Sequence, residues 1–370
     1  MSEIPAADHD DLPWVARPGA RAWRCDPAPT DVRAFHTALP DYAPTPLAEL
    51  PDLAAELAVG RVFVKDESSR LGLPAFKALG ASWAVHRALA GRPRGTVTLV
   101  TATDGNHGRA VARTARTLGQ RAHVVVPSGV HPSAVAAIAA EGAEVTEVTG
   151  SYDDAVRHAA ERAASPDAIL VQDTAWPGYE TIPAWISEGY STLCAEVDEQ
   201  LAGLAGPDLV VVPVGVGSLA QAVVTHYRSR TSGHAPALLS VEPVTAACVL
   251  ESLRRGGPVT VETSDTIMAG LNCGTLSTLA WPCLSAGLDA AVAVRDADSA
   301  RAAARLAALG VSSGPCGAAP LAGLRAALTG PGADTRRAAL GLGPDSVVVL
   351  LSTEGGAANP QTTTGHDPAC

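Results

Sequence analysis

Lysine is almost absent from this sequence. Lys65 and Lys77 are the two lysines among 27 basic residues, so arginine supplies positive charge almost everywhere. A lysine amine can lose its proton and form a Schiff base, which a guanidinium group cannot do. The two lysines are therefore either candidates for chemistry that arginine cannot perform, or ordinary residues at which lysine survives by chance.

Other missing features exclude several classes of protein. No run of Lys or Arg forms a basic patch, which argues against nucleic acid as a partner. No apolar run reaches the length of a transmembrane helix, and the N-terminus lacks a basic start followed by an apolar block. We therefore expect no membrane partner, no signal peptide and a cytoplasmic location. The seven cysteines lack CxxC or CxxH spacing, which argues against a zinc site or a disulfide scaffold.

The remaining composition indicates a globular α/β protein. A length of 370 residues with 47% hydrophobic content suggests two domains. After an irregular Pro- and Asp-rich arm over about residues 1–55, predicted strands and helices alternate, including one helix over residues 185–201. We predict two doubly wound domains with mostly parallel sheets and a cofactor cleft between them. The small domain comprises residues 95–189, and the large domain comprises residues 1–94 and 190–370.

The first candidate site element is PAFKALG, residues 74–80, which carries Lys77 at the start of a predicted helix. Apolar neighbours would desolvate this amine, and the helix N-terminus would place a positive dipole end beside it. Both effects lower the pKa of a lysine and favour the neutral amine that a Schiff base needs. The alternative is an ordinary lysine in the first turn of a helix.

The second candidate element is TDGNHG, residues 103–108, between a predicted strand and a helix. Ligands bind at the carboxyl ends of strands in open α/β folds. Asn106 could donate a hydrogen bond to a phenolate oxygen, and Asp104 could act as a general base. The alternative is a turn that caps the next helix.

The third candidate element is GVGSL, residues 215–219. Glycines allow close approach of the backbone, and N–H groups at a helix N-terminus bind phosphate. With Ala220 the segment also fits the dinucleotide fingerprint GxGxxA, and Glu242 lies at about the spacing of a ribose ligand. An NAD-type oxidoreductase therefore stays a rival interpretation of this segment.

Two strand ends carry further candidates. Ser352 and Thr353 end the last predicted strand, where a hydroxyl could face a pyridine nitrogen. A strand-to-loop exit is the alternative. Asp173 ends another predicted strand and is a candidate for substrate binding.

Together these segments resemble the diaminopropionate ammonia-lyases, which are fold-type II pyridoxal-phosphate (PLP) enzymes. The resemblance extends over about residues 62–356. Two segments, DESSRLGLPAFKALGAS and QDTAWPGYETIPAWISEGY, are specific to this branch. The NHG and glycine-loop motifs are shared with threonine and serine dehydratases.

The resemblance implies roles for individual residues. Lys77 would bind PLP covalently as an internal aldimine, and Asn106 would contact the ring oxygen. Asp104 would act as the base toward the D-isomer of the substrate, and Asp173 would bind the substrate's second amino group. The other cofactor contacts would come from a phosphate-binding loop of Gly215, Val216, Gly217, Ser218 and Leu219, and from Ser352 or Thr353 at the pyridine nitrogen.

The implied activity is α,β-elimination of 2,3-diaminopropionate to pyruvate and ammonia by a homodimer. One departure leaves alternatives open, because the family's acidic ESG-type segment reads SGPCGA at residues 313–318, without a carboxylate. The first alternative is a PLP-dependent dehydratase or β-replacement enzyme acting on serine, threonine or another β-substituted amino acid. A non-catalytic PLP-fold protein is a further one. Cys248 and Cys273 lie where some members have cysteines, which suggests a redox-linked pair, although cytoplasmic thiols are usually reduced.

Overall fold

The structure is a computed structural model that describes residues 12–92, 95–103, 105–231 and 233–358. Strands and helices alternate through most of this length. The strands are β1 (Trp14–Ala16), β2 (Leu47–Glu49), β3 (Arg61–Asp66), β4 (Thr98–Ala102), β5 (Arg121–Pro127), β6 (Glu144–Val148), β7 (Ala168–Leu170), β8 (Leu209–Pro213), β9 (Ala237–Pro243), β10 (Ala290–Val294) and β11 (Val347–Ser352).

The helices of the described residues cover both sheets. They are α1 (Asp31–Thr37), α2 (Pro51–Glu56), α3 (Lys77–Leu89), α4 (Asn106–Thr117), α5 (Pro132–Ala140), α6 (Tyr152–Arg162), α7 (Thr181–Gly189), α8 (Ser191–Gln200), α9 (Ser218–Arg228), α10 (Cys248–Arg255), α11 (Ala280–Gly287), α12 (Asp296–Ala308), α13 (Pro315–Leu328) and α14 (Ala333–Leu340). Within the described part of the chain, no helix combines the length and apolar character needed to cross a membrane.

The strands form two sheets. The larger has the order β1-β10-β9-β8-β11-β3-β2, in which the five central strands are parallel and the edge strands β1 and β2 are antiparallel. The smaller has the order β6-β5-β4-β7 and is entirely parallel. Strands β8, β9 and β10 are buried along their whole length, as apolar strands covered on both faces should be. The predicted α/β fold with mostly parallel sheets is confirmed.

The two sheets draw on different parts of the chain. All four strands of the smaller sheet lie between residues 98 and 170, inside the range 95–189 predicted for the small domain. The larger sheet takes its strands from both sides of that range. The exact domain limits stay a prediction.

The N-terminal segment is more regular than its sequence suggests. The prediction of an irregular arm is incomplete, because residues 12–55 contain β1, α1, β2 and all but the last residue of α2, with irregular segments between them. The two strands have three residues each, too short to show a hydrophobic period. They form because β10 and β3, distant in sequence, offer free edges. Residues 1–11 of the predicted arm lie outside the described residues.

The single helix predicted over residues 185–201 is two helices, α7 and α8, separated at Tyr190. The break accompanies close packing of α7 against α3. A Cβ atom on Gly189 would lie 2.7 Å from the carbonyl oxygen of Leu79, and one on Gly80 would lie 2.6 Å from the Tyr190 ring. This tertiary contact is absent from the local periodicity, which continues across the break.

Candidate active site

Lys77 begins α3 at the carboxyl end of β11. The segment before it is fixed to that strand, because Phe76 N–H donates to the carbonyl of Thr353 at 3.1 Å and Gly355 N–H donates to that of Pro74 at 2.9 Å. These bonds place the lysine where open α/β sheets bind ligands.

The Lys77 amine meets a residue of the other sheet. Its Nζ donates to Oδ2 of Asp173 at 2.5 Å, and Asp173 follows β7 of the four-stranded sheet. The Lys77 side chain is 20% exposed and that of Asp173 is 7% exposed. The structure therefore brings two of the predicted site residues together between the sheets.

The direction predicted for the pKa of Lys77 is wrong. Burial does lower the pKa of Lys77, as expected, but the charge of Asp173 outweighs it and raises the pKa above the usual lysine value. Conversely, burial would raise the pKa of Asp173, but the charge of Lys77 lowers it to about 2. The two residues form an ammonium–carboxylate pair at neutral pH, which the motif could not indicate because its carboxylate lies 96 residues away.

His107 faces the same carboxylate. Its Nε2 lies 2.7 Å from the carbonyl oxygen of Val171, which can only accept, so Nε2 carries the proton. Burial lowers the pKa of His107, which keeps the ring neutral. Its Nδ1 lies 3.9 Å from Oδ2 of Asp173 and has no hydrogen-bond partner among the described residues. The sequence interpretation did not assign a role to His107.

Asn106 contacts a carboxyl group that the sequence interpretation also missed. Its Nδ2 donates to Oε2 of Glu354 at 2.7 Å, and Oε1 of Glu354 accepts the backbone N–H of Cys316 at 3.1 Å. Glu354 is buried, and burial raises its pKa above the usual glutamate value. A carboxyl group therefore does reach residues 313–318, but it comes from the end of β11. A glutamate two residues after the end of a buried apolar strand is the signal that could have identified it.

Glu354 requires a glycine beside it. A Cβ atom on Gly314 would lie 2.7 Å from Oε1 of Glu354. The SGPCGA segment thus lacks a carboxylate of its own but leaves space for one.

The glycine loop, residues 215–219, connects β8 to α9. Gly217 adopts φ +100°, a left-handed conformation that favours glycine, and a Cβ on Gly215 would lie 2.9 Å from the carbonyl oxygen of Gly270. None of the five backbone N–H groups of the loop donates to another described residue. Such unpaired N–H groups at a helix N-terminus fit the phosphate of PLP.

The glycine loop is joined to the Asp173 segment. The hydroxyl of Ser218 donates to the carbonyl of Asp173 at 2.6 Å. On the other side of the loop, Ser277 N–H donates to the carbonyl of Val216 at 2.9 Å. The predicted phosphate loop therefore lies beside the Lys77–Asp173 pair.

Glu242 does not serve as a ribose ligand. Its carboxylate is buried and accepts the N–H groups of Val249 and Leu250 at the start of α10, each at 2.8 Å. It is a helix cap, and the second half of the dinucleotide fingerprint fails. The interpretation as an NAD-type oxidoreductase loses its support.

Ser352 and Thr353 are both buried at the end of β11. The Ser352 hydroxyl lies 2.8 Å from the hydroxyl of Ser313. The carbonyl of Thr353 accepts the N–H of Phe76. Which of the two hydroxyls would face a pyridine nitrogen stays a prediction.

Three other residues from the sequence analysis remain to be placed. Asp104 lies outside the described residues. Cys248 and Cys273 both lie beside Gly215: the Cys248 thiol is 3.9 Å from its carbonyl oxygen, and the Cys273 sulfur would be 3.1 Å from a Cβ there. They are not joined in a disulfide.

Lys65, the second lysine, has a structural position. It is fully buried, and its ammonium group donates to the carbonyl of Thr45 at 2.7 Å, Oε2 of Glu196 at 2.6 Å and Oε1 of Gln200 at 2.9 Å. One compact group thus supplies three donors to three acceptors, a geometry that a planar guanidinium does not reproduce.

Comparisons with known proteins agree with this geometry. A family model described as "Pyridoxal-phosphate dependent enzyme" matches residues 38–354. The chain is similar to the diaminopropionate ammonia-lyase of Salmonella typhimurium, with 41% identity over 68% of this chain and 69% of the relative. It is also similar to that of Escherichia coli K12, with 36% identity over 87% of each chain.

A solved structure has the same fold. The Escherichia coli diaminopropionate ammonia-lyase in complex with an aminoacrylate-PLP azomethine reaction intermediate matches with a TM-score of 0.83 and 34% identity, over 94% of both chains. The chain therefore belongs to the diaminopropionate ammonia-lyase family of PLP-dependent enzymes.

Proposed function

We propose that this chain catalyses the PLP-dependent α,β-elimination of 2,3-diaminopropionate to pyruvate and ammonia. The observation that carries the proposal is the Lys77–Asp173 contact between the two sheets, beside a glycine loop whose N–H groups donate to no other residue in the described ranges. A similar enzyme from Escherichia coli forms an aminoacrylate-PLP intermediate, which is the product of such an elimination.

The described residues would hold PLP at four points. Lys77 would bind it covalently, Asn106 would donate to the ring oxygen, and residues 215–219 would bind the phosphate. Ser352 or Thr353 would face the pyridine nitrogen. When bound, PLP supplies an electron-withdrawing ring that stabilises negative charge at the substrate's α-carbon.

Three side chains would accept protons from the substrate or bind its charged group. The Lys77 amine would accept the proton from the α-carbon of one substrate isomer, and Asp104 would accept it from the D-isomer. The Asp173 carboxylate would bind an ammonium group of the substrate, because a positive charge beside this buried carboxylate lowers its pKa, as the charge of Lys77 does in the structure. The Asp173 carboxylate is largely buried, so this contact lies in a partly desolvated environment.

Substitution of Lys77 tests the proposal. We expect the wild-type protein with PLP to show a Schiff-base absorbance band and to release pyruvate from diaminopropionate. Lys77→Ala should lose the band and at least about a thousandfold of the activity. Lys77→Arg is the matched control, since it keeps a cation beside Asp173 but cannot form the Schiff base. A band that persists in both variants would contradict the assignment.

The substrate is tested separately. Pyruvate release should be measured with D- and L-diaminopropionate and compared with 2-keto acid release from serine and threonine. A PLP-dependent dehydratase or β-replacement enzyme stays the second candidate, because the SGPCGA segment lacks its own carboxylate. Faster turnover of serine or threonine, or no pyruvate from either diaminopropionate isomer, would favour it.

The proposal includes a cytoplasmic homodimer with an amino-acid substrate and a separate small domain over residues 95–189. Its support is the family resemblance and the separate four-stranded sheet. Light scattering on the PLP-loaded protein would measure the oligomeric state, and a monomeric mass would contradict the dimer.

A further inference from the structure

The Nδ1 atom of His107 is a buried acceptor without a donor among the described residues. The bond from Nε2 to Val171 fixes the ring, so the lone pair on Nδ1 cannot turn toward another group. Oδ2 of Asp173, an acceptor like Nδ1 itself, lies 3.9 Å away. An unpaired buried acceptor costs free energy, so we expect this lone pair to receive a donor in the working enzyme.

The space between these two acceptors suits a cation. In the structure the Lys77 ammonium already donates to Oδ2 of Asp173 at 2.5 Å. The other carboxylate oxygen, Oδ1, is approached by the side-chain amide of Gln172 at 3.4 Å. Once the nitrogen of Lys77 is bound to the cofactor, Oδ2 becomes available to another donor.

We propose that Nδ1 of His107 and Oδ2 of Asp173 together bind the second amino group of the substrate as an ammonium ion. This inference rests on the proposed function and adds a specificity-determining residue to it. A nitrogen at ~2.8 Å from both acceptors would see them at an angle of about 90°, within reach of two ammonium hydrogens. A hydroxyl has one hydrogen and can satisfy only one of the two acceptors.

The bound ammonium state also suits the leaving step. When the bond between the β-carbon and the ammonium nitrogen breaks, its electron pair leaves with the nitrogen, and neutral ammonia departs without a further proton. His107 and Asp173 therefore keep their own protonation states through this step.

Two substitutions of His107 test the roles of its two ring nitrogens separately. In His107→Gln the amide nitrogen can take the place of Nε2 and keep the bond to Val171, while the Nδ1 acceptor is lost. In His107→Asn the amide oxygen can take the place of Nδ1, while the bond to Val171 is lost. We expect His107→Gln to weaken diaminopropionate binding about tenfold or more, and His107→Asn to weaken it less.

The binding readout is the spectral dissociation constant of the PLP-loaded enzyme. 2-Aminobutyrate is the matched ligand, because it has the size of diaminopropionate but a methyl group in place of the second amine. Its dissociation constant should change less than about threefold in His107→Gln, since it offers no donor to Nδ1. Equal weakening of both ligands, or no weakening of diaminopropionate, would overturn the inference.

Pyruvate release from the wild-type enzyme is recorded in parallel. If neither diaminopropionate isomer yields pyruvate, the proposed function fails, but the two dissociation constants still decide whether His107 recognises the second amine. If pyruvate is released and His107→Gln affects both ligands alike, the function stands and the role of His107 is refuted.

Discussion

At the scale of single residues, the pKa values of Lys77 and Asp173 depend on each other. Asp173 raises the pKa of Lys77, and Lys77 lowers that of Asp173 to about 2. A protonated lysine cannot attack an aldehyde, so an ion pair between Lys77 and Asp173 would oppose the formation of a Schiff base by the amine. Loading therefore depends on pH.

Asp173→Asn should shift the pH dependence of Schiff-base formation toward lower pH. Removing the carboxylate charge lowers the pKa of Lys77, so the neutral amine is present at lower pH. The pH midpoint for appearance of the Schiff-base band in apoenzyme mixed with PLP should fall by about one unit or more. Asp167→Asn, at an exposed carboxylate, is the control. An unchanged midpoint in Asp173→Asn would show that the pair does not control the amine.

Glu354→Gln should weaken PLP binding. The carboxylate accepts two N–H groups on its two oxygens, from Asn106 and Cys316. Glutamine keeps one acceptor and turns an NH₂ group toward the other donor, so either Asn106 or the N–H group of Cys316 loses its acceptor and the contact between the two segments is broken. We expect the dissociation constant of PLP, measured by fluorescence, to rise about tenfold. Exposed Glu262→Gln should have no effect, and equal values for the two variants would contradict the role.

Residue types could be predicted from the sequence, but their partners could not. The motifs of Lys77, Asn106 and the glycine loop are local patterns with a chemical meaning. The contact of Asn106 with Glu354 spans 248 residues, and only the packed sheets bring the two together. For the same reason the motif predicted the wrong direction for the pKa of Lys77.

At the scale of elements, the contact between α3 and α7 positions Lys77, the proposed PLP-binding lysine. The helices meet where neither Gly80 nor Gly189 has a side chain. Lys77 lies at the start of α3, one turn from this contact. A shift of α3 would therefore move the amine relative to Asp173.

Gly80→Ala should destabilise this contact. The new methyl group would lie 2.8 Å from the backbone oxygen of Ile186, which cannot rotate away. We expect a loss of about 1–3 kcal/mol in the free energy of unfolding, measured by urea denaturation of the PLP-loaded protein. Gly91→Ala, just beyond α3, meets no atom within 4 Å and should be neutral. Similar stability of the two variants would refute the packing argument.

Helices and strands with a hydrophobic pattern of their own could be predicted from the sequence. Strands β8, β9 and β11 are apolar runs, and α12 has a helical pattern, so each is visible in the sequence. The edge strands β1 and β2 are not, because three residues show no period and their formation depends on distant partners. The break at Tyr190 likewise depends on α3.

At the scale of the whole molecule, a buried ionic cluster joins the N-terminal segment to the rest. Lys65 and Arg70 pair with Glu67 and Glu196, and all four side chains are fully buried. Thr45 of the N-terminal segment donates its hydroxyl to Glu67 at 2.6 Å. The cluster links β3, the segment leading to Lys77 and α8.

Glu196→Gln should be strongly destabilising, because it leaves Lys65 and Arg70 with one buried carboxylate instead of two. We expect a loss of about 3–5 kcal/mol in the free energy of unfolding. The exposed pair of Arg61 and Glu49 is the comparison, and Glu49→Gln should change stability little. Similar losses in the two variants would contradict the role of burial.

The same cluster should make the stability of the fold decrease at acidic pH. Burial raises the pKa of Glu196, but the hydrogen bond and charge of Arg70 outweigh it and hold the pKa below the usual glutamate value. Its contribution to stability is therefore present above that usual value and is lost as the pH falls through the lowered one. The stability of Glu196→Gln should vary less with pH over this range.

The burial of Lys65 has a practical chemical consequence. Apart from the terminal α-amine, the sequence contains two primary amines that an amine-directed reagent could modify, and that of Lys65 is fully buried. Borohydride treatment of the yellow protein would therefore fix the cofactor to a single position. Peptide mass spectrometry could identify that position without interference from surface lysines.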